Sequence, residues 1–325
     1  MNIRDRIHGL VEVTDPLIVE LLQSKPMQRL KKISQDGATH FVQPQFDGDR
    51  FEHSFGTWYL AKHFDRPIEE QVACLLHDVP HTAFSHVVDF VMGDDKQEFH
   101  DRYLEQIVMA SDVPAICERH GLDIAKVLRK EDFYLLDNHT PELSFDRWDY
   151  VMRDAYMLGF LPLGSIRSII DGAAIKDGQF YFTDQAVAGQ LCISSLMLGQ
   201  LAYASPTVHG AWFLLANALK AALKTGVITE EDLFTTDEEV WSKLESSDHP
   251  VIKVNLGRLQ HGLEFVRADA SEAEFSGPNK ARYIDPKVAS NNGALTPVSQ
   301  LVPGLADYIQ AYKDQSHYLD VRQKV

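Results

Sequence analysis

The dipeptide His77-Asp78 constrains this chain more than any other feature. It closes an apolar helical run, Ala73-Cys74-Leu75-Leu76, where ionisable groups are costly to bury unless paired or bound to a cation. His53 stands 24 residues before His77, and Asp146 lies far downstream. A fold that uses all four must bring three helices together. Two imidazoles and two carboxylates suffice for a divalent ion: Mn, Fe, Zn, Co, Ni or Mg. Two carboxylates neutralise its charge, and water bound to such an ion becomes acidic enough to act as a nucleophile near neutral pH. A metal-dependent hydrolase is the first expectation.

The density of histidine points the same way. Residues 53–100 contain His53, His63, His77, His81, His86 and His100, six of the chain's 14. Even spreading would place about two there. His81 follows His77 by four residues, so a helical turn would set both on one side. His81 and His100 are candidates for a general acid or for a donor supporting a ligand. Arg50, three before His53, shares its face if the helix starts early enough, and a guanidinium there suits a phosphate. Read singly, the neighbours are plainer. His63 and His86 are ordinary half-buried histidines, Asp89 a solvated helix residue and Asp94-Asp95-Lys96 a solvated loop. Arg147 and Arg153 pair with Asp154 or Asp149 on a helix surface.

Composition limits the partners. With 31 basic and 47 acidic residues, the net charge is −16, which repels nucleic-acid backbones in general. A small phosphorylated molecule, held where a metal and a few Arg or Lys residues reverse the field, fits better than a long polymer. At 325 residues, 45% of them hydrophobic, the chain can bury one large core or two modest ones. No apolar run reads as long enough to cross a bilayer; the best, residues 211–223, is broken by Asn217 and Lys220. Arg4, Asp5 and Arg6 open the chain with no apolar run behind them, so no secretory signal is expected. Cys74, Cys117 and Cys192 are widely spaced, which disfavours a disulfide framework or a Cys-type zinc site and makes a reducing cytoplasm the expected compartment.

The pattern along the chain predicts a mainly α fold with a short N-terminal hairpin and a small α+β C-terminal region. Residues 5–16 read as an extended entry or hairpin. Helices are expected over 17–22, 27–33, 51–64, 68–78, 82–92, 97–110, 124–128 and 147–158, with a loop over 37–48. Residues 173–182 read as a hairpin turning at Asp177-Gly178. Long helices over 184–204 and 208–224 follow, broken at Pro206. Thr229 opens a further helix. Residues 264–268 and 281–284 are candidate strands, Gly277-Pro278 a loop signal, and 304–320 the last helix. Residues 1–225 form the expected core domain, with 226–325 packed on it.

Three strings in order carry a resemblance. They are Arg50-Phe51-Glu52-His53-Ser54-Phe55-Gly56, then Leu75-Leu76-His77-Asp78-x-x-His81-x-x-Phe84-Ser85-His86, then Asp146-Arg147-x-Asp149-Tyr150-x-x-Arg153-Asp154. Together they resemble the HD-domain phosphohydrolases, most closely the deoxynucleoside triphosphate triphosphohydrolase-like branch. Arg6-Ile7-His8-Gly9 and Gln28-Arg29-Leu30 match that branch's N-terminal pattern, and Arg282-Tyr283-Ile284-Asp285-Pro286 extends the likeness weakly. The resemblance implies an HD-domain helical core, with His53, His77, Asp78 and Asp146 as metal ligands and Arg50 and Arg147 as phosphate contacts. It implies His81 and His100 as the catalytic histidines, Asp89 as a carboxylate behind them, and Gln35, Tyr150 and Asp154 as the lining of a sugar pocket. Relatives assemble through helical surfaces, so a homo-oligomer is expected by analogy.

Several positions depart from the family. Gln35-Asp36-Gly37 stands where the family has Gln-Leu-Gly, so an apolar wall near the sugar becomes an acid. Pro80 replaces the usual Gly before His81, and Thr207 the usual Tyr before His209. An Arg expected near Trp212 is absent, and Ser24 and Lys31 stand where nucleotide-activated relatives carry Asp and Arg. These departures count against nucleotide activation and a deoxynucleoside triphosphate preference. The expected activity is hydrolysis of a phosphate ester or anhydride of a nucleotide, with dNTP cleavage to deoxynucleoside plus triphosphate as the branch's version. A nucleotide monophosphatase, a phosphodiesterase and a non-catalytic nucleotide-sensing module are the alternatives.

Overall fold

The computed structural model describes residues 1–94, 98–261, 264–315 and 318–324. The expected loop at Asp95 and Lys96, and the expected helix start at Gln97, lie outside them. The fold is mainly α, as the sequence predicts. Strands β1 (Asn2–Asp5) and β2 (Gly9–Glu12) form the N-terminal hairpin. Helices α1 (Pro16–Gln23) and α2 (Lys25–Leu30) follow. Next come α3 (Arg50–His63), α4 (Ile68–Leu76), α5 (Val87–Met92), α6 (Leu104–Met109), α7 (Val113–Arg119), α8 (Ile124–Val127), α9 (Phe145–Met157) and α10 (Leu163–Asp171).

The hairpin β3 (Ala173–Lys176) and β4 (Gln179–Phe182) turns at Asp177-Gly178, both left-handed as such a turn requires. Then come α11 (Gln185–Leu198), α12 (Pro206–Thr225), α13 (Asp237–Glu245) and α14 (Pro250–Gln260). Strands β5 (Phe265–Arg267), β6 (Phe275–Pro278), β7 (Lys287–Ala289) and β8 (Leu295–Pro297), helix α15 (Leu305–Gln315) and strand β9 (Tyr318–Gln323) complete the chain. One sheet runs β3-β4-β7-β8 and another β5-β9-β6.

Two apolar cores result. The larger gathers α1 to α4, α9 to α11, β4 and α15. The smaller gathers α5, α12, α13, α14, β5 and β9, together with Ala38 and Phe99.

The framework that matters for chemistry is the crossing of α3, α4 and α9. Asp49 caps α3 by accepting from the Glu52 N–H at 2.8 Å, so the helix starts early enough to carry Arg50 and His53 one turn apart. Ser144 caps α9 by accepting from the Arg147 N–H, which puts Asp146 in its first turn. Gly56 lets α3 and α9 approach: a Cβ there would lie 1.9 Å from Asp149 Oδ1 and 2.5 Å from Arg153 Nη2. Gly56→Ala is expected to cost about 3 kcal/mol of stability, read by urea unfolding, because a packed crossing absorbs an added methyl poorly.

Several expected elements differ. The helix over 82–92 shrinks to α5, because Phe84 and Ser85 sit at φ 58° and 53° and break it. Ser85 Oγ donates to the Ser34 carbonyl at 2.5 Å, and the Phe84 N–H donates to Asp237 at 2.7 Å, which holds the left-handed pair. Thr229 opens only a 3-10 turn at Glu231–Phe234, whereas Thr236 caps the true helix, α13. Gly277-Pro278 lies inside β6, residues 281–284 form no strand, and the last helix stops at Gln315. Helices α7, α10 and α14 had no counterpart in the sequence pattern. Pro206 begins α12 at its first turn, where a missing N–H costs nothing. Contrary to expectation, the helical stretch Gln185–Tyr203 is long and apolar enough to cross a membrane by length and composition, and just over half of it is buried inside the protein.

Candidate metal centre and active site

His77 stands at the C-terminal end of α4, and its Nδ1–H donates to the Cys74 carbonyl at 2.8 Å. His53 is wholly buried on α3, and its Nδ1–H donates to Asp149 Oδ2 at 2.9 Å. Each ring has therefore committed one nitrogen as a donor, and each neutral ring carries a lone pair on Nε2. Those two Nε2 atoms face one another at 3.3 Å. Asp146 Oδ1 lies 3.0 Å from the first and 3.6 Å from the second. Asp78 supplies Oδ1 at 3.3 Å from His77 Nε2 and Oδ2 at 3.7 Å from His53 Nε2. Three acceptors, on His53, His77 and Asp146, converge within ligand distance of one another, with Asp78 beside them and also facing His81 and His100. Only a proton or a cation relieves such an arrangement, and mixed nitrogen and carboxylate donors suit a divalent metal. The four sequence-derived candidates are thus brought together.

The electrostatics show the same demand for positive charge: the carboxylates keep a proton on His53, in the place a bound cation would take. Burial alone would push His53 down, but hydrogen bonds to Asp146 and Asp149 prevail and hold it up at about 10. Burial pushes Asp146 and Asp78 up; His53 and His77 hold the first, and Arg50 with His77 the second, well below the usual carboxylate range. Asp149 is the buried orienting group behind His53, and Arg153 pairs with it at 2.9 Å and with Asp5 at 3.1 Å. His8 approaches Asp149 from the hairpin at 3.6 Å. The surface pair expected at Arg153 is instead fully buried. The Asp-Arg-x-Asp spacing thus supplies a carboxylate facing the candidate centre and the anchor of His53 from a single turn of α9.

A histidine cluster adjoins this centre. His81 stacks on His100 with ring centroids 3.6 Å apart and directs Nε2 to Asp78 Oδ1 at 3.4 Å. His86 crosses His81 edge-on at 4.9 Å, and its Nδ1–H donates to Asp89 Oδ2 at 2.8 Å. Asp89 is buried, not solvated, and also accepts from the Phe99 N–H. It stands behind His86, not behind His81 or His100, so the neglected histidine owns the carboxylate. Burial lowers all three imidazoles, His100 to about 3, and raises Asp89 to about 6. The dyad fixes the tautomer that leaves His86 Nε2 able to accept or, once protonated, to donate.

The cleft above contains every substrate-binding candidate. Arg50 donates to Asp78 Oδ2 at 2.7 Å, Ser85 Oγ at 2.9 Å and the Gln35 carbonyl at 3.2 Å. Arg147 donates to Asn138 Oδ1, the Asn138 carbonyl and the Glu142 carbonyl. Both guanidinium groups line the cleft while bracing its walls. Tyr150 and Asp154 follow Asp146 along one face of α9, and the Tyr203 hydroxyl donates to Asp154 Oδ2. Lys130, Lys280 and Arg282 also line the cleft, so five basic side chains stand there among seven acidic ones, a difference that a divalent cation at the centre would offset. Lys280 is not singled out in the sequence and Arg282 stands there only within the weak C-terminal likeness, because nothing in their spacing places them at the cleft. Arg29 of the Gln-Arg-Leu string reaches the carbonyls of Val79 and His81 at 2.6 and 2.8 Å, fastening the turn after His77.

Comparison with known proteins is consistent with this geometry. The HD domain model matches residues 50–153. The chain is 36% identical to the uncharacterized protein YdhJ of Bacillus subtilis, covering 89% of this chain and 88% of that one. It is 29% identical to the metal-dependent phosphohydrolase cns2 of Cordyceps militaris, over 88% and 84%. It is 26% identical to a Dictyostelium discoideum homolog of the deoxynucleoside triphosphate triphosphohydrolase SAMHD1, over 77% of this chain and 56% of that one. The crystal structure of a phosphohydrolase from Bacteroides thetaiotaomicron superposes with a TM-score of 0.77 at 16% identity, each chain fully covered.

Proposed function

The chain belongs to the HD-domain metal-dependent phosphohydrolases, and from that premise we propose that it hydrolyses a phosphate ester or anhydride of a nucleotide. The observation that carries this reading is the pair of opposed Nε2 atoms, flanked by Asp146 and Asp78, beneath a cleft whose lining includes five basic side chains. His53, His77, Asp78 and Asp146 are the proposed ligands. A divalent ion held by them supplies a nucleophile at neutral pH by acidifying water and polarises a phosphoryl oxygen. The remaining steps fall to the chain's own groups. Arg147, with Lys130, Lys280 and Arg282, draws the anionic end of the substrate into the cleft. Arg50 holds Asp78 and the Ser85 turn in place. His86, set by Asp89, takes up at Nε2 the proton that the attacking water gives up and returns it to the leaving oxygen; the stacked His81 and His100 close that side against bulk water. Gln35, Tyr150 and Asp154 bound the place for the sugar.

The relatives named as acting on nucleotides support the substrate class but are distant, at 26% identity in the Dictyostelium case. Incubation with nucleoside mono-, di- and triphosphates in the presence of Mn, Co or Mg, followed by product identification, tests the proposal. Triphosphate release marks dNTPase-like cleavage and orthophosphate marks a phosphatase; hydrolysis of none of these nucleotides overturns it. With the substrate so identified, His86→Ala is expected to lower kcat about 100-fold or more, and Asp89→Asn about ten-fold, by steady-state kinetics on folded protein. Unchanged kcat in both would remove the dyad from the mechanism.

A further inference from the structure

Two carboxyl groups in the cleft each have one oxygen without a donor. Asp36 Oδ2 and Asp154 Oδ1 are buried, and neither has a hydrogen-bond partner among the described residues. Both residues line the cleft beside Gln35 and Tyr150. The other oxygen of Asp154 is taken by the Tyr203 hydroxyl. Burial holds the Asp36 carboxyl up at about 6 against the pull of Arg50, and burial with the nearby Asp36 charge raises Asp154 well above its ordinary value. Buried acceptors without donors are rare in folded proteins because desolvation is then uncompensated. Two of them lining one cleft call for a ligand that brings the hydrogens.

The position limits what that ligand group is. Asp146, Tyr150 and Asp154 recur every four residues on α9, so they share one face that starts at the candidate metal centre. Both Asp36 and Asp154 lie within electrostatic reach of His53, and Asp36 within reach of Arg50 as well. They therefore border the part of a nucleotide next to its phosphate, which is the sugar, not the base.

Resting on the nucleotide reading above, we propose that Asp36 and Asp154 form a paired acceptor for the 2′- and 3′-hydroxyls of a ribose, making this a ribonucleotide-selective site. Each hydroxyl donates to one carboxylate oxygen. A 2′-deoxyribose offers one donor to two acceptors and leaves a buried oxygen unpaired. Sites built to bind a hydroxyl reject the analogue lacking it strongly, which is the source of the selectivity. Asp36 is the specificity-determining member.

The test compares AMP with 2′-deoxy-AMP and ATP with 2′-deoxy-ATP on the Mn-loaded wild-type protein and on Asp36→Leu and Asp36→Asn. Wild type is expected to favour the ribonucleotide in kcat/KM by about 100-fold or more. Asp36→Leu is expected to bring the two sugars within about ten-fold, with Asp36→Asn, which keeps an acceptor, between them. Thermal unfolding checks that the variants fold, and the wild-type ratio alone decides if they do not. Equal use of both sugars, a deoxy preference, or a ratio unchanged in Asp36→Leu overturns the inference and leaves phosphohydrolase activity standing. If no nucleotide is hydrolysed, the functional reading fails separately. Calorimetric binding of AMP against 2′-deoxy-AMP then decides the sugar: ribose-selective binding sustains the inference, and equal or absent binding overturns it.

Discussion

Replacing His77 and Asp78 together by alanine is expected to abolish metal retention and reduce hydrolysis to background. One of the three converging donors and the carboxylate beside them disappear, and His53 Nε2 with Asp146 Oδ1, 3.0 Å apart, is what remains to grip an ion. Elemental analysis of protein purified without added metal reads the first effect directly. A second readout is stability: a metal that binds only the folded wild type raises it by about 2.7 kcal/mol at one hundred times its dissociation constant, and the double variant should show no such rise. The change also strips Arg50, which is almost fully buried, of its 2.7 Å carboxylate partner, so some loss of intrinsic stability accompanies it. Full turnover by the metal-free double variant would defeat the assignment.

Arg153→Met is expected to destabilise the fold by about 3–5 kcal/mol, because it leaves Asp149 and Asp5 buried with no cation between them. Arg153 has no exposed surface, and its pKa is pushed upward by Asp149 and Asp5 against the opposing effect of burial. The pH dependence follows from Asp149. Burial alone would raise it, but Arg153 and His53 hold it far below its ordinary value. A depressed carboxyl contributes stability that is fully present above the unfolded value near pH 4 and is lost as the pH falls toward the folded one. The wild type should therefore lose stability on acidification below about pH 4. The variant should lose less, since protonation relieves its uncompensated carboxylates. The gap measured by denaturant unfolding should narrow from neutral to acid pH; a constant gap would show that the ion pair is not its cause.

Much of the site was legible because its chemistry sits in short strings. Asp49 and Ser144 cap their helices locally, but the apolar pattern starts those helices at residues 51 and 147, so it puts His53 on its helix and leaves Asp146 just outside one. The opposed nitrogens could be anticipated in kind, though not at 3.3 Å. What escaped depends on long-range contact. Asp89 is a helix residue by pattern and becomes buried only because α5 turns inward after the Phe84-Ser85 kink. That kink is held by Ser34 and Asp237, neither of them a neighbour in sequence. For the same reason His86 read as an ordinary histidine. The weakest stretch was residues 226–325, where strands of three or four residues pair with distant partners, as β5 and β6 do with β9. Such short strands have too few alternations to announce themselves. The notable sequence departure, Asp36 for an apolar residue, was visible at once; that its Oδ2 is left without a donor was not.

Asp237, at the start of α13, accepts one N–H from Ser34 and another from Phe84, at 2.8 and 2.7 Å. Arg29 spans the same seam, donating to Val79 and His81 on one side and to Phe234 and Thr235 on the other. The recognisable motif at residues 50–153 is thus pinned from outside its own borders. A homology-defined fragment would carry every reactive side chain and yet lack the struts that aim them. For this protein, evolutionary module and working machine are not coextensive, and the tail is as much a part of the chemistry as the signature.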